Sequence, residues 1–431
     1  MKSHHACSLI IVPLFLLLSI STSAQTSPPI EKQDSCPQTS VLPARLFGLT
    51  IDKVADNKKD KSKRIRESLL EQLEFIKAHS PGKPLPIVRI VLDVGNAKQT
   101  GTVMGEYVDI IKEIKGKGLA YVMAEVMDSN YFHFCTKKGK GADEQCYVER
   151  TKNYLDALGQ CVDIWEIGNE INGQWAGGEE GELSGDRAPT TKQAARMDAR
   201  DSVIRQVKAG YDFLEGKGKL TAVTFYFNDD GERHSWSEEG DDSEYSMKKW
   251  LQDNKGKFPG VDYVFISFYP DDNFAPGPRE GERTRITPSP EKWAEIFKQI
   301  KDDYQSAQVG FGEVGAQCKY KKEGSCVVLE DEDNSECKDR ECNCCLSAQR
   351  DYIREYYQDL DAKIRAALKA NYEPSYEKAF VGGYFYWHFN SDVINKFADA
   401  KKVKKTKERQ SLELQPAATR QTLVDAYETW K

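Results

Sequence analysis

The chain is 431 residues long, 39% hydrophobic, 30% charged and 10% aromatic, an ordinary globular composition that supplies a large core and makes disorder no default. Its formal net charge of −7 argues against nucleic acid as a partner, because neutralising phosphates needs a basic surface. The length allows two or three domains, or a single closed α/β barrel, which commonly takes roughly 250 residues or more.

The chain opens with Lys2 in a short polar start, an apolar run from Leu9 to Ile20, and the small residues Thr22, Ser23 and Ala24. This is the pattern of a secretory signal peptide over residues 1–24, too short to span a bilayer comfortably, with an uncleaved anchor as the alternative. Cleavage would remove Lys2, take the net charge to about −8 and leave no stretch of membrane length, so a secreted, periplasmic or extracellular protein without membrane association is expected. A Pro/Ser/Gln-rich lead occupies residues 25–44, and a single barrel is expected over residues 45–431.

From residue 45 an apolar segment recurs eight times. In chain order these are "RLFGLTID" from Arg45, "PIVRIVLDVG" from Pro86, "LAYVMAEVMD" from Leu119, "VDIWEIGNE" from Val162, "LTAVTFYFND" from Leu220, "VDYVFISFYP" from Val261, "QVGFGEVG" from Gln308 and "FVGGYFYWHFN" from Phe380. Each is nearly continuously apolar, as parallel strands covered on both faces are. Helical periodicity fills the gaps: Ile65, Leu69, Leu73 and Ile76; Trp293, Ile296, Phe297 and Ile300; Ile353, Tyr357, Leu360, Ile364 and Leu368. Leu423 to Trp430 supplies the start of the last helix. Strand and helix alternating eight times predict a (β/α)8 barrel. The rival open sheet of dinucleotide-binding type would carry a G-x-G-x-x-G after an early strand, and none is present.

Long insertions all follow strand ends: 129–145, 173–189, 229–246, 271–289, 316–347 and 391–416. In a barrel these loops gather on the functional face. The basic stretch Lys401–Arg409 reads as a solvated linker, and the acidic run from Asp229 to Glu244 as a solvated loop, since it lacks the order of a calcium-binding loop. Without Cys7 there are ten cysteines, an even number that in an exported chain predicts disulfides of unknown connectivity. Six of them lie between Cys318 and Cys345, and their spacing lacks the paired C-x2-C of a zinc site, so staples rather than a metal are expected. No cofactor is implied.

Two strands end on residues that no core would accept, the fourth on Asn169 and Glu170 and the seventh on Glu313. Paired carboxyl groups across a barrel mouth suit glycosidic cleavage, one protonating the leaving oxygen and one ionised. Here the sequence resembles the retaining glycoside hydrolases of clan A, whose pattern is Asn-Glu ending strand four and a Glu nucleophile ending strand seven. The resemblance implies Glu170 as acid/base, Glu313 as nucleophile and Asn169 as the ligand of the sugar 2-hydroxyl. It further matches Arg89 to the second-strand arginine that keeps the nucleophile ionised, Tyr269 to the sixth-strand tyrosine bonded to it, and Trp387 to the eighth-strand platform under the sugar. A bland reading of Arg89 ties it to an acid such as Asp93. Ile171 stands where several families of the clan carry Pro, Tyr269 lacks the His of an H-x-Y motif, and the Cys-rich insertion fits no family, so the family within the clan stays unassigned.

Asn228, ending strand five, is a further candidate that a turn explains equally well. Trp175, with Trp236, His234 and Phe274, supplies loop aromatics for stacking on sugar. The sequence thus predicts a monomeric secreted enzyme hydrolysing β-linked poly- or oligosaccharides with retention. Transglycosylation through the same intermediate, a catalytically silent glycan-binding barrel, and an interaction protein acting through its Cys-rich loop are the alternatives.

Overall fold

Eight apolar runs become eight strands: β1 (Leu46–Ile51), β2 (Ile87–Val91), β3 (Tyr121–Glu125), β4 (Ile164–Gly168), β5 (Thr221–Phe227), β6 (Tyr263–Phe268), β7 (Gln308–Val314) and β8 (Phe380–Tyr386). Each is buried along its length save Gln308 at the start of β7, which is why none alternates polar with apolar. Neighbours in sequence pair in parallel, and β8 closes on β1. The architecture is the (β/α)8 barrel expected from the sequence. The computed structural model describes Cys36 and residues 41–52, 54, 59–92, 105–137, 141–173, 176, 189–227, 246–269, 274–276, 283–285, 287–315, 319–320, 326–327, 350–387, 389–403 and 406–429.

The helices are α1 (Lys59–His79), α2 (Gly105–Gly116), α3 (Glu144–Leu158), α4 (Pro189–Glu215), α5 (Met247–Asn254), α6 (Pro290–Asp303), α7 (Asp361–Asn371), α8 (Pro374–Ala379), α9 (Lys396–Ala400) and α10 (Thr406–Thr429). α6 shows how sequence sets them. Ser289 caps it by accepting from the Lys292 amide at 3.2 Å, Pro290 occupies its first turn, and Trp293, Ile296, Phe297 and Ile300 form one buried stripe. Ile65, Leu69, Leu73 and Ile76 of α1 are buried in the same way. The helix ending as α7 begins by residue 350 and carries a π-helical turn at Glu355–Leu360, with Ile353, Tyr357, Leu360, Ile364 and Leu368 inward.

The last insertion departs from expectation. Instead of a loop over 391–416 and a helix starting near Leu423, the chain turns helical at Asn390, runs through α9, and re-enters a helix at Thr406 that accommodates Pro416. The basic stretch is therefore no linker: Lys401 pairs with Glu71 of α1 at 2.9 Å, and the chain is helical again by Thr406. Hydrophobic contact explains the change, since Val393, Ile394, Ala398 and Ala400 are buried just before the lysine-rich stretch.

Inside the barrel, Leu46, Ile87, Met123, Ile164, Phe265 and Phe385 belong to an apolar floor, with Leu42 and Leu85 packed against it. Two disulfides stand among the described residues, Cys36–Cys161 and Cys135–Cys146. The first ties the lead segment to the turn before β4. The cysteines from Cys318 to Cys345, and residues 1–24, fall outside the described side chains. Among the described residues no helix is long and apolar enough to cross a membrane.

Candidate active site

Directly above the apolar floor the strands turn polar. Arg89 from β2, Glu125 from β3, Glu166 from β4, Thr224 from β5, Ser267 from β6 and Glu313 from β7 are all buried. Charges survive burial only when paired, and Arg89 supplies the pairing. Its Nε lies 2.6 Å from Glu166 Oε2, its Nη2 2.8 Å from Glu125 Oε2 and its Nη1 3.1 Å from Glu313 Oε2. The Thr224 hydroxyl donates to the other oxygen of Glu166. Burial works against the Arg89 charge, yet the three carboxyl groups outweigh it and hold its pKa above the ordinary value. The Asp93 partnership weighed from sequence lies outside the described residues, and the partners seen are the three glutamates.

Both strands that carry the paired acids break register. β4 shifts against β5 between Glu166 and Gly168, and β7 shifts against β6 between Phe311 and Glu313. Such irregularities re-aim side chains at strand ends. Gly312 is required at the second: a Cβ there would sit 2.6 Å from the Phe265 Cβ and 2.9 Å from Thr224 Oγ1, so the residue before Glu313 has no room for a side chain. Glu170 adopts φ 45°, a left-handed conformation that costs a non-glycine residue about 1–2 kcal/mol. The turn bearing it is pinned by Asn172, whose amide donates to the Tyr226 carbonyl at 2.8 Å and accepts from the Tyr226 amide at 2.7 Å.

One strand end reaches both acids. Ser267 donates to Glu170 Oε1 at 2.5 Å, and two residues on, the Tyr269 hydroxyl donates to Glu313 Oε1. The Ser129 hydroxyl, at the start of the short helix Ser129–Cys135, donates to Glu170 Oε2 at 3.3 Å. The surroundings set the two carboxyl groups apart. Burial pushes Glu170 well above the carboxylic range, the charges of Glu313 and Asp128 push it further, and the Ser267 hydrogen bond and Arg89 pull back. Burial also raises Glu313, but Arg89 and the Tyr269 hydroxyl oppose it, leaving a value of about 7. Two acids with separated pKa values, one neutral and one ionisable, form an acid/base pair.

Of the residues predicted from sequence, the structure brings together Glu170, Glu313, Asn169, Arg89, Tyr269 and Trp387. Asn169 is 1% exposed, and its Oδ1 has no hydrogen-bond partner among the described residues. Trp387 is half-buried just past β8, its amide bonded to the Val314 carbonyl at 2.9 Å and its ring centroid 5.6 Å from the Arg89 guanidinium carbon. Asn228, Trp175, Trp236 and His234, and the side chain of Phe274, lie outside the described residues. Glu125, Glu166, Thr224, Ser129 and Ser267 went unpredicted. The signal was present, since each interrupts an apolar run or ends one, but only knowledge of which strand face points inward would have selected them. Among the described residues, no group of three or more His, Cys, Asp and Glu side chains is disposed to hold a metal ion.

No family profile and no curated protein matches the sequence. Solved structures do. The AHE enzyme from Alicyclobacillus herbarius aligns over 82% of this chain and 90% of its own at 11% identity, with a TM-score of 0.50. A GH1 β-glucosidase from Exiguobacterium antarcticum aligns over 81% and 89% at 12% identity and TM-score 0.49, and a β-glucosidase from Thermotoga maritima over 80% and 88% at 13% identity and TM-score 0.48. At these identities the likeness is one of fold.

Proposed function

We propose that this chain is a glycoside hydrolase that cleaves β-glycosidic bonds of a poly- or oligosaccharide with retention. The observation that carries the reading is the pair of buried carboxyl groups, Glu170 and Glu313, approached by Ser267 and Tyr269 of one strand end and held in opposite electrostatic surroundings. Glu170, kept neutral, protonates the departing glycosidic oxygen. Glu313, kept ionisable by Arg89 and Tyr269, attacks the anomeric carbon and forms a glycosyl-enzyme. Glu170, now the base, removes a proton from the incoming water, which displaces Glu313 and restores both groups. Asn169 Oδ1, without a hydrogen-bond partner among the described residues, suits a sugar hydroxyl donor at the same subsite, and Trp387 supplies an aromatic face for the ring.

Trp175 and Asn228 are carried in this reading as further substrate contacts, and residues 1–24 as an export signal that leaves a secreted, monomeric enzyme. Transglycosylation differs only in the acceptor. The test is reducing-end release from a panel of β-glucans, mannans, xylans and galactans, wild type beside Glu313→Gln. Release that falls on the order of 10³-fold or more in the variant supports the reading and names the glycan. Binding without release by wild type would replace it with a silent glycan-binding barrel. NMR of the first-formed anomer decides retention.

A further inference from the structure

The Arg89 layer holds one cation against three buried carboxyl groups, and the hydrogen bonds are shared unequally. Glu166 receives Arg89 Nε at 2.6 Å, Arg89 Nη2 at 3.3 Å and the Thr224 hydroxyl. Glu313 accepts one hydrogen bond, from the Tyr269 hydroxyl, while Arg89 Nη1 stands 3.1 Å from its other oxygen at ion-pair distance without hydrogen-bond alignment. Glu125 is fully buried, yet among the described residues no donor is aligned on either of its oxygens. Its sole polar contact there is Arg89 Nη2 at 2.8 Å, an ion-pair distance without hydrogen-bond alignment. A buried carboxylate short of donors is the costliest member of such a layer and the first to take up a proton.

We infer that Glu125 stands in this layer as a neutral carboxylic acid and is a positioning residue: it packs against Arg89 Nη2 at 2.8 Å, and thereby keeps Nη1 within 3.1 Å of Glu313, without drawing the arginine charge away from Glu313. The inference rests on the proposed role of Glu313 as nucleophile. The groups around Glu125 agree. It is the register partner of Glu166, and its other charged neighbours are Asp128, one turn beyond β3, and Glu313, all acidic. Burial raises the Glu125 carboxyl most, Glu166, Asp128 and Glu313 add to that, and Arg89 alone opposes. From α3, Tyr147 gives its hydroxyl to the Ile167 carbonyl, while Arg150 gives its Nε and one Nη to the carbonyls of Val126 and Leu92. An ionised Glu125 would compete with Glu313 for the one cation and repel its charge. A neutral one keeps the geometry and removes the competition.

Infrared difference spectroscopy of the full chain, with no glycan present, tests this and is independent of whether the protein hydrolyses anything. Subtracting Glu125→Gln from wild type at pH 7 is expected to show loss of the carbonyl stretch of a protonated carboxylic acid, and loss of carboxylate bands instead would overturn the inference. The Glu313 titration, assigned by its absence in Glu313→Gln, gives a second reading by sign. Its midpoint stays in place in Glu125→Gln and rises in Glu125→Leu, where Arg89 loses its brace. If Glu125 were ionised, removing its charge would lower the Glu313 midpoint in Glu125→Gln, by on the order of one pH unit. The isosteric variant alone suffices should the leucine variant not fold.

Discussion

Glu170 and Glu313 are chemically the same side chain, and what faces each one divides their roles. Glu170 is buried in the field of another acid, and together these outweigh the hydroxyls that donate to it, so its proton is retained. Glu313 meets a guanidinium and a phenol, which favour its charge. On the proposed mechanism, Glu170→Gln therefore removes the proton donor and leaves the nucleophile intact. Hydrolysis of glycosides with poor leaving groups should fall by about 10²–10⁴-fold, while aryl glycosides whose leaving groups need no proton should form the glycosyl-enzyme nearly as fast as wild type. Stopped-flow release of the phenol against its acidity measures this, and an equal loss for every leaving group would remove Glu170 from the acid role. These two residues were legible in the sequence because they end hydrophobic strands abruptly, a place where a carboxyl group has no structural reason to be. Arg89, Tyr269 and Trp387 were legible only jointly with them, by strand number. Glu125 and Glu166 were hidden: in strands covered on both faces, inward and outward positions are equally apolar around them, and no alternation marks the phase.

At the scale of elements, β7 and β8 are packed too closely for side chains. Gly382 and Gly383 have φ 79° and 88°, Tyr384 follows at φ 47°, and the pairing of β8 is irregular against both neighbours. A Cβ on Gly383 would lie 2.2 Å from the Phe311 carbonyl oxygen, on backbone that cannot swing away. Gly383→Ala combines a disfavoured φ with this clash and should cost about 2–4 kcal/mol, lowering the melting temperature by several degrees in calorimetry. Gly116→Ala, at the end of α2 with nothing within 4 Å, is the matched control and should be neutral. Equal melting temperatures for the two variants would mean that β8 relaxes. The segment after β8 shows where element-level reading failed. The stretch 391–416 reads in the sequence as an insertion after the eighth strand, but Val393, Ile394 and Ala398 cover the outside of the barrel beside α1, and tertiary contact makes the segment helical. The periodic helices, by contrast, needed no such help. The buried stripes of α1 and α6 are the ones the spacing of their apolar residues picks out.

For the whole molecule, placing several carboxyl groups inside a closed barrel couples stability to pH in a direction opposite to that of most surface acids. Burial leads in raising Glu125, Glu170 and Glu313, the last to about 7. A carboxyl whose folded pKa lies above its unfolded value makes the folded state the better proton binder. Its contribution is therefore present below the unfolded value near ~4.3 and is lost as pH rises through the folded one. For Glu313 that window runs from about 4.5 to about 7, with a size on the order of a few kcal/mol, and for Glu170 and Glu125 the same loss continues upward. Asp253 and Asp302, held low despite partial burial by Lys249 with Arg200 and by Lys298, act with the opposite sign below pH ~4, but they lie near solvent and are screened. The melting temperature followed by calorimetry should thus peak on the mildly acidic side and decline through neutrality, and Glu313→Gln should flatten that decline. A melting temperature that climbs steadily from pH 5 to 8 would mean that these carboxyl groups ionise inside the barrel without cost. The separation of acid from nucleophile by their surroundings would then fail with it, because the same burial that shapes the stability curve is what keeps Glu170 protonated beside an ionised Glu313.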